Sequence, residues 1–189
     1  MEAEAVLDLF RASGALLEGH FRLTSGLHST GYMQCALVLQ HPSHAEALGQ
    51  ALASAAPDGH IDAVLSPALG GIVIGHEVAR ALGARALFAE RADGVLTLRR
   101  GFALTPGERV LVVEDVVTTG GSTYETMQVA RAAGAEVTGV ATIINRGLTV
   151  DLGVPFRTLA EVRFPAYDPG ACPLCAQGVP AVKPGSRQS

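Results

Sequence analysis

Apolar residues follow two rhythms along this chain, one with helical spacing and one in short continuous runs. Val6, Leu7 and Phe10 share a face of a helix over residues 2–12, which Ser13-Gly14 ends. Residues 15–38 predict short extended pieces around a tight Ser25-Gly26 turn. Pro42 suits a first helical turn, and an Ala/Leu-rich helix from about 43 runs to 56, where Pro57-Asp58-Gly59 stops it. Ala63-Val64-Leu65 is a strand, followed by a Pro-Ala-Leu-Gly-Gly loop at 67–71 and a helix to Leu82. A further strand, Ala86-Leu87-Phe88, leads into a polar segment at 90–101. Val110-Leu111-Val112-Val113 is uniformly apolar and mostly β-branched, the mark of a strand buried on both faces, as in a parallel sheet. A helix to about Gly134 and a strand at about 136–144 complete the series.

This β-loop-α alternation predicts right-handed crossovers and a Rossmann-like α/β core, a parallel sheet flanked by helices. Residues 15–40 and 150–165 are expected to form a small cap, or hood, over the carboxyl edge of that sheet, with 1–189 as one domain. Neither internal repeats nor low-complexity linkers interrupt the pattern.

Composition narrows the class. With 48% hydrophobic and 17% charged residues the chain is globular rather than disordered. Its apolar runs fall short of a membrane span, and Glu2, Glu4 and Asp8 stand where a signal peptide would be basic. A cytoplasmic protein is expected. Net charge of −4, without an aromatic-rich basic stripe, argues against nucleic-acid binding. Lys183 is the only lysine, so any cation a site requires is expected from arginine or histidine. Cys35, Cys172 and Cys175 suggest no disulfide framework. Cys172-Pro173-Leu174-Cys175 has metal-knuckle spacing, but a tetrahedral zinc site needs two more ligands and no second cysteine pair exists. A plain structural role is the first reading; zinc shared across a dimer and a redox disulfide stay open.

The chemistry concentrates at 114–123. Glu114 and Asp115 end the apolar strand, where open α/β sheets place their ligands. Thr118, Thr119, Gly120, Gly121, Ser122 and Thr123 form a turn entering a helix, which turns backbone N–H groups and partial positive charge toward an anion. Carboxylates would repel a bare phosphate. They fit a ligand with vicinal hydroxyls beside its phosphate, since a carboxylate accepts hydrogen bonds from both. The segment therefore reads as a ribose 5-phosphate site. No Gly-Lys-Ser/Thr follows, and the G-x-G-x-x-G spacing of dinucleotide sites is missing.

Residues 110–123 resemble, throughout their length, the phosphoribosyl-pyrophosphate signature of type I phosphoribosyltransferases. The resemblance implies that Glu114 and Asp115 hold the ribose hydroxyls. It gives Thr118, Thr119, Gly120, Gly121 and Ser122 the 5-phosphate, with Val116 and Val117 in the same binding segment. Residues 20–32 resemble the N-terminal turn of orotate phosphoribosyltransferases, where Ser-Gly followed by Ser-x-x-Tyr helps hold the pyrimidine; this assigns Ser25 and Gly26. Arg146, at the end of the strand after the signature helix, points into the same crevice, and a guanidinium can bind a carboxylate through two parallel hydrogen bonds. The family's matching arginine contacts orotate, so Arg146 and Thr118 are candidate orotate ligands.

The likeness implies transfer of phosphoribosyl from phosphoribosyl pyrophosphate to orotate, a homodimer, and Mg²⁺ carried by the substrate without direct protein ligands. Arg91 matches the family's mobile-loop arginine and would hold pyrophosphate. Departures from the family lie nearby: Ala92, Gly70-Gly71 and Thr24 occupy positions where lysines are common. Arg99 and Arg100 flank this loop as parts of an anionic lid or, equally, as solvated arginines of a β-hairpin. Lys183-Pro184-Gly185-Ser186-Arg187 resembles endings of some bacterial orotate enzymes. The alternatives are a purine or uracil phosphoribosyltransferase and a regulator that binds phosphoribosyl pyrophosphate.

Overall fold

Strand β6, Arg109–Val117, runs through the middle of a six-stranded sheet and carries the carboxylates to its edge. The computed structural model describes residues 1–23, 25–147 and 151–183. In chain order the elements are α1 (Ala3–Ala12), β1 (Leu16–Arg22), β2 (His28–Met33), α2 (Cys35–Leu39), α3 (Pro42–Ser54), β3 (Ala63–Pro67), α4 (Gly71–Leu82) and β4 (Arg85–Ala92). They continue with β5 (Val95–Leu98), β6, α5 (Gly121–Ala132), β7 (Glu136–Asn145), β8 (Phe156–Glu161), β9 (Ala166–Tyr167), a 3-10 turn at Pro169–Ala171 and α6 (Pro173–Ala176).

The sheet order is β5-β4-β3-β6-β7-β8, parallel except for the β4–β5 hairpin. Strand order reverses between β3 and β6. The loops after those two strands therefore open a crevice at the carboxyl edge, where such sheets hold ligands. Period-two alternation feeds both faces of the sheet. Leu111 and Val113 pack with Val6, Phe10, Leu48, Ile74 and Val78 on one side. Val110 and Val112 pack with Leu65, Met127 and Ala130 on the other. Each wholly buried leucine or isoleucine contributes roughly 1.5–3 kcal/mol, so both faces are strongly held.

A second sheet, β1-β2-β9, forms the cap expected from residues 15–40. Two boundaries differ from expectation. Cys35–Leu39 is a short helix rather than extended chain, because Cys35, Val38 and Leu39 bury one helical face. Phe156–Glu161, expected within the cap, instead pairs with β7 as the outer strand of the main sheet. An edge strand is covered on one side only, and its mixed burial hides the apolar run that marks a central strand. The polar segment at 90–101 contains the hairpin, with Asp93-Gly94 at its turn.

Candidate active site

Strand β6 ends in the two carboxylates, and pleating turns them to different neighbours. Glu114 is buried and faces the start of α5, accepting a hydrogen bond from Ser122 Oγ at 2.5 Å and another from Thr123 Oγ1. Burial raises its pKa above the ordinary glutamate range, the two hydroxyls pull it back, and the charge of Asp115 adds to the rise. Asp115 is also raised, mainly by burial, against lowering by the backbone N–H groups of Val116 and Asp115 and by the Cys35 thiol. That thiol is itself pushed well up by burial and by Asp115.

Asp115 stands against the loop after β3, whose Ala68–Leu69 peptide is cis. A Cβ on Gly70 would lie 2.8 Å from both carboxylate oxygens, so only glycine leaves that face of Asp115 open. A cavity of about 340 Å³ joins Asp115 and Gly70 to Gln34 and Leu69. Among the described residues no ion pair engages either Glu114 or Asp115.

The turn between β6 and α5 has the form of an anion cradle. Gly120 holds φ +77° at the helix N-cap, a left-handed conformation that favours glycine, and Thr118 and Thr119 are exposed before it. Ser122, expected on the phosphate, is turned toward Glu114 and braces the cradle from behind. Val117 is buried and accepts the Arg146 N–H at 2.9 Å, which sets the end of β7 beside the turn.

Across this turn lies a cavity of about 520 Å³ lined by Arg22, Leu23, Ser25, Tyr32, Thr118, Arg146 and Lys183. It brings together three expected residues distant in sequence: Ser25, Thr118 and Arg146. Gly26, at φ +86°, makes the adjoining turn by donating to Leu23 O at 3.0 Å. The Arg146 guanidinium lies 5.5 Å from the Phe164 ring centroid, an arrangement that steadies it over an aromatic face. Arg22, Tyr32 and Lys183 were not singled out in the sequence as site residues. Tyr32 stood inside the quoted motif; Lys183 lines the cavity, although cations were expected from arginine or histidine. Thr24, Pro184, Gly185, Ser186 and Arg187 lie outside the described residues.

The three loop arginines are elsewhere. Arg91 pairs with Glu125 on α5 at 2.8 Å and donates to Gly94 O at 2.7 Å. Arg99 and Arg100 both approach Glu90, at 3.9 and 3.0 Å, and Arg100 lies over the Phe88 ring. None of the three lines the cavity around Arg146. Their placement matches the hairpin reading of this segment.

Comparison with known proteins identifies the family. The phosphoribosyl transferase domain family matches residues 37–151. The chain is 53% identical to an orotate phosphoribosyltransferase of Pelotomaculum thermopropionicum over all of both chains. It is 50% identical to one of Thermotoga maritima, covering 96% of this chain and 98% of that one. Among solved structures, orotate phosphoribosyltransferase from Aeropyrum pernix superposes with a TM-score of 0.66 at 26% identity, over 82% of this chain and 93% of the other. A phosphoribosyltransferase from Corynebacterium diphtheriae gives 0.70 at 26% identity, over 84% and 95%.

Proposed function

The chain belongs to the orotate phosphoribosyltransferase family, and from that premise we infer that it transfers the 5-phosphoribosyl group from phosphoribosyl pyrophosphate to orotate, forming orotidine 5′-monophosphate and pyrophosphate in pyrimidine biosynthesis. One observation carries the residue assignment: Arg146 and Thr118 share a cavity with Ser25, Tyr32 and Lys183 of the cap and tail. A pyrimidine carboxylate there meets a guanidinium fork and an ammonium, while its ring lies beside the phosphate turn.

The remaining roles follow from position. Backbone N–H groups of the 118–121 turn hold the 5-phosphate at the start of α5. Asp115 accepts the ribose hydroxyls on the side that Gly70 leaves free, and Glu114 keeps the turn in place through Ser122 and Thr123. Orotate is already ionised, so the site does not need a strong base. Displacement at the anomeric carbon passes through an oxocarbenium-like state, for which positioning and nearby carboxylates supply the stabilisation. Arg91 takes the departing pyrophosphate after leaving Glu125.

Mg²⁺ carried by phosphoribosyl pyrophosphate would supply charge neutralisation at its phosphate oxygens. The residues present fit that role without ligating the ion: Asp115, which has no ion pair among the described residues, would hold the ribose hydroxyls beside it, and Mg²⁺ needs few protein ligands. A cytoplasmic homodimer that binds neither nucleic acid nor membrane goes with this reading, supported by family membership and acidic net charge. No helix among the described residues is long and apolar enough to cross a membrane.

The test is loss of orotate absorbance on adding phosphoribosyl pyrophosphate with and without Mg²⁺, in parallel with uracil, adenine, hypoxanthine and xanthine. Mg²⁺-dependent consumption of orotate alone is expected. Turnover of another base in its place would overturn the assignment of Arg146.

A further inference from the structure

The Cys172–Cys175 pair finds in the fold the two partners that its sequence spacing lacks. His20 on β1 and His28 on β2 face it, and one ligand atom from each of the four residues falls within 4.8 Å of every other. His20 Nε2 lies 2.8 Å from His28 Nδ1 and 3.4 Å from Cys172 Sγ, while Cys175 Sγ lies 3.3 Å from His28 Nδ1 and 3.9 Å from His20 Nε2. The first three groups are buried, and Cys175 closes the cluster at the surface.

We propose that His20, His28, Cys172 and Cys175 form a tetrahedral Zn²⁺ site that fastens the carboxyl-terminal segment to the cap sheet.

The geometry is that of one metal centre. Zn–N bonds of about 2.0–2.1 Å and Zn–S bonds of about 2.3 Å in a tetrahedron set ligand separations of roughly 3.3 Å for N–N, 3.6 Å for N–S and 3.8 Å for S–S. The three nitrogen–sulfur contacts involving His20 and His28 straddle that N–S value, and the two nitrogens have only about 0.5 Å to open. A two-iron cluster bound by the same residue types would divide the thiolates from the imidazoles, whereas here the two sets interleave. Two thiolates with two imidazoles in a tetrahedral arrangement select zinc among common divalent ions.

The tautomers agree. His20 Nδ1 lies 2.7 Å from Val179 O, and a carbonyl only accepts, so Nδ1 carries the proton. In the neutral ring Nε2 then presents its lone pair to the cluster. Histidine ligands of metals are held in this way by a backbone carbonyl on the far nitrogen. The two strands bring the rings together: His28 lies opposite Arg22, His20 sits in the irregularity of the pairing between Glu18 and Phe21, and the ring centroids stand 4.7 Å apart. Binding releases one proton from each thiol and changes no oxidation state, so two thiolates balance the charge of Zn²⁺.

Beyond the cluster, Val182 N donates to His20 O and Arg22 N to Val182 O, both at 2.8 Å. The staple thus lies one strand pairing away from Lys183 and Arg22 in the cavity. The metal assignment itself does not depend on what that cavity binds.

Elemental analysis of the tag-free protein should find about one zinc per chain, retained by Cys35→Ser and reduced at least about tenfold in a Cys172→Ser, Cys175→Ser double variant. The wild-type chain stripped of metal and loaded with Co²⁺ gives a second reading that does not depend on the folding of that variant. Intense visible bands of tetrahedral cobalt with a thiolate charge-transfer band support the site. Failure of the wild-type chain to retain zinc or to give those bands overturns it, as does isolation of the chain with Cys172 and Cys175 joined in a disulfide after prompt alkylation.

Discussion

Arg91 and Glu125 form an ion pair at 2.8 Å that ties the β4–β5 hairpin to the second turn of α5. Both side chains are about half exposed, so the pair contributes about 0–1 kcal/mol and is readily exchanged for a stronger anion. Pyrophosphate is such an anion. Arg91→Ala is expected to lower kcat/KM for phosphoribosyl pyrophosphate by about 10²-fold while leaving Tm within about 2–4 °C. Glu125→Gln removes the competitor and should lower KM for the same substrate. Steady-state kinetics of both variants checks this, and a fully active Arg91→Ala enzyme would remove Arg91 from the reaction.

Gly70 is held to glycine by space, not by backbone. Its φ of −59° and ψ of −41° suit alanine, yet the added methyl would press on both oxygens of Asp115. Gly70→Ala should therefore fold normally and raise KM for phosphoribosyl pyrophosphate about tenfold or more, equivalent to about 1.4 kcal/mol. Unchanged kinetics in a folded Gly70→Ala protein would mean that Asp115 moves freely and does not orient the ribose.

Arg146 follows β7 and Lys183 follows the pairing of Val182 with β1, yet both line one cavity, and their contributions should separate. Charge-assisted hydrogen bonds are worth about 1.5–3 kcal/mol, so Arg146→Ala should raise KM for orotate by about 10- to 150-fold with little change for phosphoribosyl pyrophosphate. Lys183→Met removes a point charge without a fork and should cost less, with the difference fading as salt rises. Equal losses for both substrates in Arg146→Ala would sink its role as the base-selecting residue.

The sequence made the central part of the site readable because its signals are local. An apolar run, two acids and a Thr-Thr-Gly-Gly-Ser turn are contiguous, and β6, the turn and α5 follow in that order. What stayed hidden depends on contacts between remote segments. Lys183 is a terminal lysine in sequence, and only the pairing of Val182 with β1 brings it to Arg146. His20 and His28 lay within a motif read for its serines, while their ligand geometry needs β1, β2 and the 172–175 turn together. Strand β8 was misplaced for a related reason: one-sided pairing leaves it no continuous apolar stretch. The contacts of Arg99 and Arg100 with Glu90 were likewise hidden, since Glu90 reaches them only across the hairpin.

Glu114 gives the most direct test of the turn's electrostatics. Burial raises its pKa above the ordinary value of 4.5, despite the Ser122 and Thr123 hydroxyls. The folded chain therefore keeps this proton to higher pH than the unfolded chain. The stability that follows is fully present below pH 4.5 and is lost as pH rises through the raised folded value. Glu114→Gln has the shape of the protonated acid and cannot ionise; one of the two hydroxyls can rotate to accept from its Nε2 while the other still donates to its Oε1. Its Tm should match the wild type near pH 4.5 and exceed it progressively toward pH 8, each kcal/mol appearing as about 2–4 °C. Calorimetry of both proteins across that range checks the sign. A Tm difference that does not vary with pH would show that Glu114 titrates at its ordinary value and that its hydroxyl partners fully offset burial.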